Sequence, residues 1–189
     1  DGKLVHEEAF DAGREGAIEI PDLSASLTPG RHVIDLEMDG GADMPYALTI
    51  GYHANTPASD DTTSVTIDTS ISAERVSEGE PVDVEVTVRN RIDEGVPMVV
   101  AVVGLPGGVE PRVDQLESLV REGRIDQYEL RGREVVLYWR SMAPKSEATV
   151  PLSCVAAVPG RYEGPASRAY LYYTDEKKVW MPGLTLEIE

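Results

Sequence analysis

The sequence predicts an all-β fold of antiparallel β-sandwiches, the second of them carrying one short α-helix at about residues 111–122. Three observations predict it. Apolar residues recur at every second position through most of the chain, as in "PVDVEVTV" (81–88), where Val82, Val84, Val86 and Val88 share one face and Asp83, Glu85 and Thr87 the other. Short runs of this kind are separated by Gly, Pro, Asn and Asp at the spacing of turns. Only one segment follows the three-and-four spacing of a helix.

In chain order, alternation predicts strands at 3–9, 15–20, 31–38 and 46–53. "DLSASLTPGRHV" and "EMDGGADMPY" supply turns between them. "HANTPASDDTTS" (53–64) has no period and reads as a linker, so a domain boundary is expected near Asp60. The division is then 1–60 and 61–189. A block of about 60 residues buries only about 60 % of its unfolded surface, so the first block is expected to lean on other chain for stability. Beyond the linker, "EVVLYW" (134–139), "EATVPLSCVAAV" (147–158), "SRAYLYY" (167–173) and "GLTLEI" (183–188) repeat the strand pattern. The helix lies in "VEPRVDQLESLVREGR" (109–124). Pro111 suits its first position and Gly123 the residue past its end. Val113, Leu116 and Leu119 or Val120 form its apolar stripe.

Charge narrows the function classes. The 189 residues hold 34 acids against 17 bases, a net of −17, and such a surface repels phosphate backbones and anionic lipid. Residues 1–61 alone carry 13 acids and 3 bases, so the two blocks present different surfaces. No apolar run reaches the ~20 residues that span a bilayer, so neither nucleic acid nor membrane insertion is expected. The one cysteine, Cys154, alternates with Val150, Leu152 and Ala156 and is expected in the core, with no internal disulfide.

No catalytic, cofactor or metal site is expected. His6, His32 and His53 lack neighbours at metal-ligand spacing. "DGGAD" (39–43) lacks the glutamate that would close a calcium loop, since position 50 is Ile. "GLPGG" (104–108) precedes the helix without the Lys-Ser/Thr of a phosphate cradle, and Glu110 would repel an anion there. Ser153 sits in a strand with no G-x-S-x-G turn around it. The aromatic cluster "AYLYYTDEKKVW" (169–180) is the one remaining candidate. Tyr170, Tyr172, Tyr173 and Trp180 are expected to pack in the sandwich or against a neighbouring domain, in preference to forming a ligand platform.

Residues 62–189 resemble the C-terminal receptor-binding domain of the α2-macroglobulin family. The resemblance rests on "LPGGVEPRVDQLESLV", "ELRGREVVLYW" and the tyrosine-rich "AYLYYTDE". Residues 1–60, above all "GRHVIDLEMDGGADMPYALTIGYHANTPAS", are similar to the returning half of the family's CUB-like domain, which follows an inserted thioester-bearing domain. The resemblance implies a non-catalytic docking region of a protease inhibitor or trap, outside the cell or in the periplasm. Its partners would be the thioester-type domain of the same parent chain and, through the parent, proteases. The implied contact face is the polar side of the helix, Arg112, Asp114, Glu117 and Arg121, with the acidic surface of the first block. Two departures matter. Cys154 is followed by Val155 and Ala156, so this chain carries no Cys-Gly-Glu-Gln thioester stretch. The positions of the receptor-binding lysines of vertebrate members are Glu110 and Asp114, which reverses their charge. The alternative is a tandem β-sandwich of a surface adhesin or carbohydrate-binding protein, which would present Tyr172, Tyr173 or Trp180 in a groove.

Overall fold

The structure is a computed structural model describing residues 2–11, 13–41 and 43–189. It divides into two units, 1–51 and 52–189.

Among the described residues all the strands lie in the second unit. They are β1 (Val65–Ile71), β2 (Arg75–Val76), β3 (Pro81–Asn90), β4 (Val96–Gly104), β5 (Val109–Pro111), β6 (Gln127–Arg131), β7 (Glu134–Met142), β8 (Glu147–Ala156), β9 (Gly160–Glu163), β10 (Ser167–Leu171), β11 (Val179–Met181) and β12 (Thr185–Ile188), with helix α1 (Val113–Arg121) between β5 and β6. Strands β1-β3-β8-β5 form one sheet, β11-β10-β4-β7-β6 a second, and β2-β12-β9 a small third in which β2 and β12 run parallel. The other pairings are antiparallel.

Alternation produces this sandwich directly. Val84, Val86 and Val88 on β3 and Val150, Leu152 and Cys154 on β8 share a core with Val99, Ala101 and Val103 on β4 and Val135 and Leu137 on β7. Val82 belongs to a smaller cluster with Ala156, Leu186 and Ile188 under the third sheet. Strand β4 is buried on both faces, since Val100 and Val102 join Val136 in a third cluster covered by Tyr138 and Tyr170. A strand buried on both faces reads as a continuous apolar run, which "VVAVV" (99–103) is.

The helix begins two residues later than Pro111. Pro111 instead ends β5, where it pairs with Cys154, and Arg112 is the N-cap in extended conformation. Leu116 and Leu119 are buried and Val120 partly so, while Val113 is exposed. Gly123 closes the helix at φ +68, donating to the Val120 carbonyl while Arg124 N–H donates to that of Leu119. Glycine favours that conformation because it has no Cβ to meet the backbone.

The first unit departs from expectation. Its described residues contain a single 3-10 turn, Ser24–Ser26, and none of the strands expected at 3–9, 15–20, 31–38 and 46–53. Alternation states only that one face of a segment needs cover, whereas a strand also needs a neighbour for its N–H and C=O groups. Here the cover is missing: Leu4 is 74 % exposed, Tyr46 79 % and Ile50 73 %.

Candidate functional site

The sequence-predicted contact residues lie together on the outer side of α1. Arg112 pairs with Asp114 at 2.9 Å, the Arg121 guanidinium donates to Ser118 Oγ at 2.7 Å, and Glu117 faces solvent. Half-exposed ion pairs of this type contribute little to stability, so the face is available for contact at small cost.

A residue that pattern reasoning missed holds this helix in place. Past its short pairing with β5, strand β8 has a free edge. Gln115 lies against it, its amide Nε2 donating to the Pro151 carbonyl at 2.6 Å and its Oε1 accepting from Ser153 N–H at 3.4 Å. Arg112 N–H donates to the Ser153 carbonyl and the Arg124 guanidinium to that of Thr149. The Gln115 amide therefore stands in for the peptide group of an absent strand, and α1 seals an edge that would otherwise recruit one. Only a break in the helical polarity pattern, Gln115 beside the apolar stripe, hints at this in sequence. Replacing it by alanine leaves two ladder groups without partners. The variant Gln115→Ala should lose about 1–2 kcal/mol, measured as a lower urea midpoint at unchanged slope.

The aromatic cluster splits in two. Tyr170 and Trp180 are half-buried on the outer face of the five-stranded sheet. Lys178 Nζ stands 5.1 Å from the centre of the Tyr170 ring and the Arg168 guanidinium 5.3 Å from that of Trp180. Arg168 also pairs with Glu134 at 2.7 Å. Burial pushes the Tyr170 phenol up from its ordinary range, and burial with the Glu129 carboxylate does the same to Tyr138. These groups roof the apolar cluster beneath them.

Tyr172 and Tyr173 do not pack in the sandwich, which corrects one of the two placements expected of the rings, the other being against a neighbouring domain. They are 53 % and 76 % exposed and meet edge to face, 5.3 Å apart at 82°, in the turn after β10. Strand β10 ends at Leu171, so the alternation that would carry Tyr173 after Ala169 and Leu171 onto the core face stops short of it. Tyr172 N–H donates to the carbonyl of Met98, a non-glycine residue at φ +46. A bulky residue rarely occupies that region, and such strain collects at functional positions.

Cys154 is buried and its thiol is pushed up to about 12, by burial first and the Asp83 carboxylate second. It packs in the core and has no thiolate character at neutral pH. Among the described residues no group of His, Cys, Asp and Glu is placed to hold a metal ion. His6 lies 3.7 Å from Glu8, and His32 Nε2 meets the Thr28 carbonyl at 2.6 Å. The grooves are open and shallow. One of about 420 Å³ is edged by Trp180, Arg133, Arg168, Glu134 and Glu163, and its tryptophan face is already taken by Arg168.

Residues 53–176, which hold most of this sandwich, match the family model of the bacterial alpha-2-macroglobulin MG10 domain. The chain belongs to that family. Solved structures share the fold. Trypsin-activated alpha-2-macroglobulin from Escherichia coli superposes with a TM-score of 0.56 at 16 % identity, over 70 % of this chain and 11 % of that one. The E. coli protein activated by porcine elastase gives 0.55 at 17 %, over 70 % and 14 %. A point mutant of Salmonella alpha-2-macroglobulin gives 0.54 at 22 %, over 69 % and 10 %. This chain thus spans about a tenth of the length of those proteins. Comparison with curated proteins gives no match. No described helix of this MG10 family member is long and apolar enough to cross a membrane.

Proposed function

We propose that this chain is the non-catalytic C-terminal docking region of an α2-macroglobulin-like protease inhibitor or trap, working outside the cell or in the periplasm. Residues 1–60 are its CUB-like portion and 61–189 its receptor-binding-like sandwich. The MG10 match supports the family, and the activation of one similar protein, that of E. coli, by both trypsin and elastase supports the link to proteases.

One observation carries the docking role: an apolar-bodied tyrosine pair, Tyr172 and Tyr173, stands in solvent beside the strained Met98. Tyrosines of this kind act as anchors at interfaces. The partner is the thioester-type domain of the same parent chain, and the polar face of α1 (Arg112, Asp114, Glu117, Arg121) extends the contact. The carbohydrate-binding alternative needs a free ring face in a groove. Trp180 lacks one, and Tyr172 and Tyr173 crown a turn.

The test is made in the parent protein. Tyr172→Ser with Tyr173→Ser should weaken docking of the thioester-type domain by about 2 kcal/mol, some thirtyfold, and reduce protease trapping. Asp114→Arg with Arg121→Glu should give a smaller loss. Unchanged docking and trapping in the tyrosine variant would remove the proposal; unchanged behaviour in the charge variant alone would confine the contact to the tyrosine turn.

A further inference from the structure

The second half of the segment that reads as a linker in sequence is fastened to the sandwich. Residues 59–63 run beside β11, the neighbour of β10 in the five-stranded sheet. Ser59 Oγ accepts from Trp180 N–H at 2.9 Å and donates to the Trp180 carbonyl at 3.4 Å. Asp60 N–H donates to the Lys178 carbonyl at 2.8 Å, and the Thr63 hydroxyl to that of Lys177 at 3.5 Å. Val179, between Lys178 and Trp180, is paired with Ala169 of β10. Backbone groups two residues apart on a strand face the same neighbour, so Ser59 and Asp60 bond β11 where a further strand would.

This stretch of β11 continues from one leg of the tyrosine turn. On the other leg, Tyr172 N–H donates to the Met98 carbonyl. Between the legs, Thr174 N–H donates to the Leu171 carbonyl, Lys177 N–H to that of Thr174, and Lys178 Nζ pairs with Asp175 at 3.5 Å. The turn is therefore gripped by Met98 on one side and by residues 59–63 on the other. That strap has unequal ends. Toward β1, Thr63 is 6 % exposed and Val65 0 %. Asp60 Oδ1 fixes the corner there, accepting from Thr62 N–H at 2.7 Å and from the Thr62 hydroxyl at 2.6 Å. Toward the first unit, residues 54–56 and 58–59 are exposed, and Pro57 has no N–H to give. Solvent-exposed hydrogen bonds with few buried contacts mark the part that opens first, which here is the Ser59 end.

We infer that Ser59 and Asp60 are positioning residues for the tyrosine turn, and that the chain arriving from the first unit sets how firmly Tyr172 and Tyr173 are held. This rests on the docking role proposed above and adds its regulation. With the strap seated, the tyrosines are presented in one arrangement, and docking loses little conformational freedom. When the arriving chain is displaced, Ser59 and then Asp60 leave β11. Residues 177–180 lose their outer partners, the turn loosens, and docking weakens.

Amide exchange of the 189-residue chain reads the positioning role directly. Ser59→Ala should speed exchange about fivefold at Trp180 and, together with it, at Tyr172, Thr174 and Lys177. Val86 in β3 and Ala101 in β4 should keep their protection. Ser59→Thr, which retains the hydroxyl, should match the unsubstituted chain. In the parent protein, Ser59→Ala should weaken docking of the thioester-type domain about threefold. Faster exchange at Trp180 alone would mean that the strap does not reach the tyrosines, and equal acceleration at Val86 and Ala101 would mean a general loss of stability; either overturns the inference. So would unchanged docking in Ser59→Ala beside a loss in Tyr172→Ser with Tyr173→Ser. Should that tyrosine variant itself dock normally, the docking reading falls, and the exchange pattern alone decides whether the strap positions the turn.

Discussion

Gly104→Ala should unfold the sandwich more readily by about 3 kcal/mol or more, among the largest effects of any single-methyl addition to this chain. Gly104 ends β4 in ordinary extended backbone, so its need for glycine is steric. A Cβ there would lie 1.9 Å from the Pro165 carbonyl oxygen and 2.7 Å from its carbon. Both are backbone atoms, and they have nowhere to go. On the other side of the same segment, a Cβ on Gly183 would meet the Gly164 oxygen at 1.9 Å. The stretch 164–165 is thus pinched between the end of β4 and the approach to β12, and the buried Ser167 fastens it by accepting from Gly104 N–H at 3.0 Å. Chemical denaturation checks this. A useful contrast is Gly123→Ala, where nothing lies within 4 Å and only the left-handed φ of +68 is strained. That variant should lose only about 1–2 kcal/mol. Equal losses at the two sites would contradict the steric account.

Leu137→Ala should destabilise the protein by about 2–5 kcal/mol. Leu137 is 0 % exposed at the middle of β7, between Ala101 on β4 and Tyr128 on β6, and its side chain enters the core shared by the two large sheets. Removing three methyl-sized groups there leaves a cavity, because strands on both sides hold the backbone apart. For a unit of this size the melting temperature should fall by roughly 10 °C. Leu137→Met, which keeps the volume, should cost less than about 1.5 kcal/mol. Val158→Ala, at a position 55 % exposed, should stay within about 0.5 kcal/mol of the parent. A melting temperature for Leu137→Ala as high as that of Val158→Ala would show that the central core is looser than its burial indicates.

Much of the second unit was legible because its information is periodic. Val82, Val84, Val86 and Val88 announce a half-buried strand, and all four are at most 1 % exposed. Leu116 and Leu119 mark the buried stripe of the helix in the same way, and Gly123 marks its end. The alternation around Cys154 placed that thiol in the core, where it lies. The tyrosines were harder to place. Alternation through "AYLYY" gives no sign that β10 ends at Leu171, where the chain turns and Thr174 N–H donates back to the Leu171 carbonyl. The role of Gln115 was hidden for a related reason, since a glutamine on a helix surface looks like any solvated residue until a strand edge is set beside it.

By itself the sequence determined the all-β class, the single helix, the buried faces of the strands and the acidic charge, together with the motifs that pointed to α2-macroglobulins. Each of these depends on which side chains avoid water and at what period, and that is written locally. Only the tertiary structure decided which strands are neighbours, which edge is sealed, where methyl groups have no room, and that the tyrosine pair faces outward. Those properties belong to pairs of segments far apart in the chain, whose meeting no local period can encode. The first unit gives the same lesson from the other side: its alternation asks for cover, and a pattern of apolar residues cannot say where that cover comes from.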